Sequence, residues 1–407
     1  MDVSAEGGAE PRNRIFLHVG SPKTGTTFLQ QVLWSQRQKA ETQGLLLPLN
    51  SFFEHFLASL DVRDLADRAE HPPRASGIWQ KAVGQAQAWP GNVLISHELF
   101  ASATAEQAEK AIAAFGSDAD VHVVLTVRDL VRQIPAEWQE HLKHRSKKTF
   151  AEFVHDLQED TEGSSWFWRV QDFADVAQRW GRTLPPERVH VVTVPPAGGD
   201  PTILWTRFAT LLGLDPEPFD LEGSRSNTSL GAEQAELLRR VNAELGKRLP
   251  LPGPYAVDVK NVFAQRVLAK RPGSKFGLGA AATDFAVQRS REIAVALEAM
   301  QVDVVGSLDE LVPDSPPSPS TPGEPDTLTG GVPDDVLLAE AVAALAALLD
   351  EHRARRVERD SERQKLKQHP IRFLLERQTE RSPWAMKLRK TYGRRHVLVD
   401  RITRRKP

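Results

Sequence analysis

The sequence predicts an α/β fold, a parallel sheet flanked by helices, with a helical basic tail after it. Three observations predict it. Short apolar runs alternate with stretches of helical spacing through residues 14–312. The first run, residues 14–19 (RIFLHV), leads straight into a glycine-bearing turn that opens a helical stretch. The charges are also segregated. Residues 353–407 hold 19 Lys and Arg against six Asp and Glu, a net of +13, so residues 1–352 carry −15 within a chain whose total is only −2.

Taken in order, residues 14–19 read as a β-strand ending at Gly20. Residues 28–38 follow as a helix with Phe28, Leu29, Val32 and Leu33 on one face. Residues 92–95 (NVLI) are a second strand and 106–115 a helix. Residues 121–127 (VHVVLTV) alternate so weakly that they predict a third strand buried on both faces. Residues 150–158 and 168–180 are helical, 189–194 (VHVVTV) a fourth strand, and 202–212 a helix stopped by Gly213. Residues 231–249 and 285–297 are further helices. Residues 250–283, rich in Gly and Pro, show no period and receive no assignment.

The chain then divides into a disordered N-terminus (1–13), an α/β domain (14–312), a Pro-rich linker (313–331) and a basic tail (332–407). The linker holds PDSPPSPSTPGEPD, too poor in apolar residues to offset its ordering entropy. The absence of cysteine excludes disulfides, a thiol nucleophile, thiolate metal sites and cysteine-ligated clusters. No apolar run reaches the ~18 residues of a membrane span. The first residues lack a basic leader followed by an apolar stretch, so a cytoplasmic protein is expected.

Gly20-Ser21-Pro22-Lys23-Thr24-Gly25-Thr26-Thr27 carries the chemistry. A glycine-rich turn between strand and helix converges backbone N–H groups on an anion, and the helix dipole adds positive potential. The fold expected is therefore P-loop-like. In a nucleotidase loop, however, lysine follows the second glycine; here Thr26 does, and Lys23 lies inside the loop. A lysine there can neutralise a leaving phosphate without Mg²⁺. This stretch, followed by Phe28-Leu29-Gln30, resembles the 5′-phosphosulfate loop of the sulfotransferase family, in its bacterial branch. The resemblance implies 3′-phosphoadenosine 5′-phosphosulfate (PAPS) as donor and no metal. Ser21, Pro22, Lys23, Thr24, Gly25, Thr26 and Thr27 would bind the donor, with Lys23 at the bridging oxygen. The competing reading is an ordinary turn with a solvated lysine.

The donor's 3′-phosphate demands a second anion site. Residues 121–127 end in Arg128-Asp129-Leu130, similar to the family's arginine after a later strand, and a guanidinium fork suits phosphate. The family's serine eight residues on is here Ala136. Arg132, Gln133 and Arg225 are the candidates to cover the missing hydroxyl. A structural ion pair with Asp129 or a neighbour is the competing role for Arg128. An Asn-x-Ser segment at residues 227–229 also resembles bacterial relatives, and the likeness covers about residues 14–245.

Transfer to a hydroxyl, or an amine, needs a base. The strand at 92–95 delivers Ser96-His97-Glu98 to the sheet edge beside the loop. Adjacent side chains on an extended chain point oppositely, so one of Glu98 and His97 faces the donor. The resemblance leans to Glu98; helix capping is the competing role of both. His18 reads as a core histidine, and the Trp166-Phe167-Trp168 cluster as core or as a stacking surface. The acceptor class stays open among carbohydrate, lipid and small metabolite.

In the tail, residues 332–349 place Val336, Leu337, Ala341, Ala344, Leu345, Leu348 and Leu349 at helical spacing, a helix that must dock. Residues 351–367 continue it as a charged helix. An anionic membrane surface, the acidic body and self-association compete as its partner; no nucleic-acid motif is present. Two alternatives to the sulfotransferase expectation remain: a Mg²⁺-dependent P-loop phosphotransferase, and a non-catalytic binding or scaffold protein on the same fold.

Overall fold

Apolar runs flanked by glycine and helix signals become strands covered on both faces. The computed structural model describes residues 13–68, 71–160, 162–200, 202–222, 229–251, 253–275, 277–313 and 331–368. The proposed disordered N-terminus (bar Asn13), most of the linker, Arg225, and the tail beyond 368 lie outside the described residues. Strands β1 (Arg14–Gly20), β2 (Leu45–Leu46), β3 (Asn92–Ser96), β4 (Asp120–Val127), β5 (Val189–Thr193) and β6 (Asp303–Val305) form one sheet in the order β2-β3-β1-β4-β5-β6. Every pairing is parallel. The interior residues of β1 and β4 are buried along their length, as weak alternation requires.

Helices follow the strands: α1 (Thr26–Ser35), α2 (Arg37–Thr42), α3 (Phe52–Val62), α4 (Ile78–Gln87), α5 (Ala105–Ala113), α6 (Leu130–Lys143) and α7 (Phe150–Glu159). Then come α8 (Trp166–Gln171), α9 (Phe173–Gly181), α10 (Thr202–Leu211), α11 (Ala232–Leu245), α12 (Ala280–Ala299) and α13 (Asp334–Gln368). One face of the sheet packs Phe16, Leu94, Val124 and Val192 against Leu29, Val32 and Leu33 of α1 and Trp205 and Phe208 of α10. Helix α9 packs on β4, and α12 packs on α6 and α9.

Four details differ from expectation. The stretch expected as one helix over 168–180 is two, because Asp172 breaks it and caps α9 by accepting from Asp175 N (3.1 Å); a short carboxylate competes well for first-turn amides. β2 and β6 have two and three residues, too few to show a period. The unassigned 250–283 stretch contains a π-helix, Tyr255–Val267. Finally, the chain forms two compact units, Met1–Glu340 and Ala341–Pro407, which divide within α13 and not at the linker. The start of α13 belongs with the first unit through Arg240–Asp334 (3.0 Å) and Arg271–Glu340 (2.6 Å). Among the described residues, no helix is long and apolar enough to cross a membrane.

Candidate functional site

The sheet order locates a crevice before any side chain is considered. After β1 the chain runs to the β2–β3 side; after β4 it runs to the β5–β6 side. Such a reversal opens a cleft at the carboxyl ends of the two strands, where α/β sheets bind ligands. The Gly20–Gly25 loop leaves β1 at that point, and Arg128 leaves β4.

Thr126 ties the two together. Its carbonyl accepts from Ser21 N (3.1 Å), and its hydroxyl donates to Gly20 O (3.0 Å) and meets Thr24 Oγ1 (2.6 Å). Below, His18 bonds Ser96 Oγ (2.7 Å) and reaches Thr126 Oγ1 (3.3 Å), and Gln30 donates to Ser96 Oγ (3.0 Å). Burial pushes His18 down to about 3, so it stays neutral, as a core histidine should. Thr24, also bonded to Ser21 O, serves the loop's own shape.

Gly25 is the N-cap of α1 at φ 88, and no side chain caps the helix. The first-turn amides of α1 are therefore left without a side-chain partner, the condition for an anion site. A side chain at Gly25 would lie 2.5 Å from Leu204 Cδ2. Thr26 is buried and Thr27 half-buried at the start of α1. Ser21 Oγ is buried without a hydrogen-bond partner. The Pro22 carbonyl accepts from Gln171 Nε2 (3.1 Å) and from Gln133 Nε2.

Among the described residues Arg128 makes one side-chain hydrogen bond, Nη2 to the Arg132 carbonyl (2.9 Å), and its Nε is buried and unpartnered. Among the described residues it has no carboxylate within ion-pair distance. The expected competing pair is made by another residue: Asp129 binds Arg132, whose Nη1 also donates to Pro195 O (2.9 Å). Burial, and then Arg132, push the Arg128 guanidinium down to about 10. A buried cation with an unsatisfied donor is costly unless an anion completes it. Ala136, half-buried on α6, lies two turns beyond. Leu230, just after the undescribed stretch that holds Arg225, exchanges two hydrogen bonds with Gln139 of α6.

On the β3 side, Glu98 and His97 separate as adjacent residues on extended chain should. His97 is buried, stacks on Phe52 (5.4 Å, 25°), and caps the following 3-10 turn by accepting from Leu99 N at Nδ1 (3.2 Å). Burial chiefly lowers its pKa, with Glu98 opposing and Arg63 assisting. A neutral ring accepting at Nδ1 carries its proton on Nε2, which leaves no free lone pair for a base. Glu98 lies half-buried against the loop: a side chain at Gly20 would come 2.9 Å from Glu98 O. Its Oε2 is buried and unpartnered. Nearby, Phe52 and Phe53 are exposed at the start of α3, and Arg74 lies over Phe53 (5.6 Å). Of the tryptophan cluster, Phe167 and Trp168 are core and Trp166 is exposed.

Three residues were not foreseen. Lys23 Nζ bonds Glu140 Oε2 at 2.6 Å; Glu140 also receives Lys260 (2.8 Å), with His144 (3.2 Å) and Lys143 (3.9 Å) beside it. Burial alone would raise the Glu140 pKa, but His144 and the three lysines hold it far below the carboxylate range. Glu137, one turn earlier, is buried and accepts from Gln171 Nε2 (3.1 Å). Burial pushes it up to about 7 against the opposing pull of Lys23, with Glu140 adding and Arg128 and Gln171 subtracting. The signal in the sequence is the polar spacing of Gln133, Glu137 and Glu140 along one face of α6. Lys260 stands on the π-helix Tyr255–Val267. Among the described residues no group of three or more His, Asp and Glu could hold a metal. No protein-family model, curated protein or solved structure matches the chain.

Proposed function

We propose that the chain is a PAPS-dependent sulfotransferase acting on a hydroxyl or amine acceptor. One observation supports the reading: the uncapped N-terminus of α1 follows β1, and Arg128, whose Nε is buried and unpartnered, follows β4, at the carboxyl ends of two neighbouring strands where a donor with two phosphate groups would bind. The loop amides from Thr24 to Thr27, with the Ser21 hydroxyl, take the 5′-phosphate, and Arg128 takes the 3′-phosphate. Arg132 is held by Asp129 and Pro195 and so positions α6 more than it binds. Glu98 is the base, because its Oε2 is unpartnered whereas His97 is occupied in capping.

In the reaction, Glu98 takes the acceptor's proton as the acceptor oxygen or nitrogen forms a bond to sulfur. The bond from sulfur to the bridging phosphate oxygen breaks, and the negative charge passes to adenosine 3′,5′-bisphosphate. Lys23 stabilises that developing charge. To do so its ammonium must leave Glu140, and Lys260 remains as the counter-ion of that carboxylate.

Isothermal calorimetry with adenosine 3′,5′-bisphosphate tests this. The wild type should bind, with Lys23→Ala and Arg128→Ala each weakening affinity by about tenfold or more. Glu140→Gln frees Lys23 and should tighten binding roughly threefold. No binding by the wild type overturns the reading. A non-catalytic binding protein is favoured by one observation, the Lys23–Glu140 contact; bisphosphate binding without turnover of PAPS by the wild type or Glu140→Gln would select it.

A further inference from the structure

The crevice uses nothing from the exposed side of α13. There Leu338, Val342, Leu345 and Leu349 are 66, 62, 57 and 63% exposed. Spacings of four, three and four put them on one stripe of the helix. Leu337, Glu340 and Ala344, by contrast, are buried and lie on another face of the helix. A line of large exposed apolar side chains marks an interaction surface.

The charges at its two ends identify the occupant. Asp334 and Asp335 precede the stripe, and His352, Arg353, Arg355 and Arg356 follow it. We propose that this stripe pairs antiparallel with the same stripe of a second copy of the chain. In that register Leu338 opposes Leu349 and Val342 opposes Leu345, and the two-fold axis repeats both pairs. Asp334 and Asp335 then lie beside Arg353, Arg355 and His352 of the second copy at each end. Asp334, already 3.0 Å from Arg240, shares its carboxylate, and Asp335 is exposed. Ala339 and Ala346, exposed at the stripe's edge, let the helices approach closely. A parallel pair would set acid on acid and base on base. An anionic lipid surface would meet Asp334, Asp335 and Asp350 on the exposed side, so it fits less well.

Sedimentation velocity of the full chain over the micromolar range tests the pairing. The expected result is a monomer–dimer equilibrium, weakened at least tenfold in a Val342→Gln, Leu345→Gln chain whose melting is otherwise unchanged. The cysteine-free sequence lets crosslinks report orientation. A Leu338→Cys chain mixed with a Leu349→Cys chain should form a disulfide-linked dimer on oxidation. Neither alone should, because eleven residues of helix, about 16 Å, then separate the thiols. A wild type that stays monomeric at every concentration overturns the proposal. So does self-linkage of Leu338→Cys, which signals a parallel pair. Capture of monomer by phosphatidylglycerol vesicles, lost in the Val342→Gln, Leu345→Gln chain, overturns it in favour of a membrane.

Discussion

Glu137 lies between two cations, Lys23 and Arg128, and a buried interior, and the interior prevails: its pKa rises to about 7 from 4.5. Between those values the native state keeps a proton that the unfolded chain has released. Stability therefore falls as pH rises through that window, by about 3 kcal/mol once it is passed. Glu137→Gln keeps an acceptor for Gln171 and removes the titration. Melting followed from pH 4.5 to 8 should show the variant matching wild type at the acid end and exceeding it at the alkaline end; parallel curves would refute the assignment. Lys23 and Arg128 were legible in the sequence, because each stands at a fixed distance from a strand end. Glu137, Glu140 and Lys260 were not, since their partners come from separate elements and no spacing encodes a 2.6 Å contact between residues 23 and 140.

The β1–α1 junction shows why a glycine can be tested at the level of elements. Gly25 and Gly44 share φ 88, but Gly25 has Leu204 of α10 at 2.5 Å from a would-be Cβ, whereas Gly44 faces open space. Gly44→Ala should cost about 1 kcal/mol, the backbone strain alone, and leave bisphosphate binding intact. Gly25→Ala adds the clash, which displaces α1 or α10. It should cost roughly 2–4 kcal/mol and abolish binding. Equal losses in denaturant melts of the two variants would count against the loop geometry. The strands at 14–19, 92–95, 121–127 and 189–194 stand where apolar patterning put them, because burial on both faces leaves a strong signal. β2, β6 and the π-helix had no such signal. They are short or irregular, and neighbouring elements hold them, as Asn242 and Leu142 hold the Tyr255 hydroxyl.

At the scale of the whole molecule, a ligand that binds only the native state raises stability by mass action. Adenosine 3′,5′-bisphosphate at a hundredfold excess over its Kd should add about 2.7 kcal/mol. On the proposed reading, with Lys23 and Arg128 as the neutralising charge, the resulting rise in Tm should survive EDTA. A rise abolished by EDTA would favour the Mg²⁺-dependent phosphotransferase. The sequence by itself determined the alternation of strand and helix, the glycine-bearing loop between β1 and α1, and the opposition of acidic body and basic tail, since these are matters of local pattern and composition. Only the tertiary structure decided that β1 and β4 stand side by side at a reversal of strand order, that Glu140 holds Lys23, and that no carboxylate among the described residues lies within ion-pair distance of Arg128. Those facts depend on which distant residues meet, and burial sets the energy of each meeting.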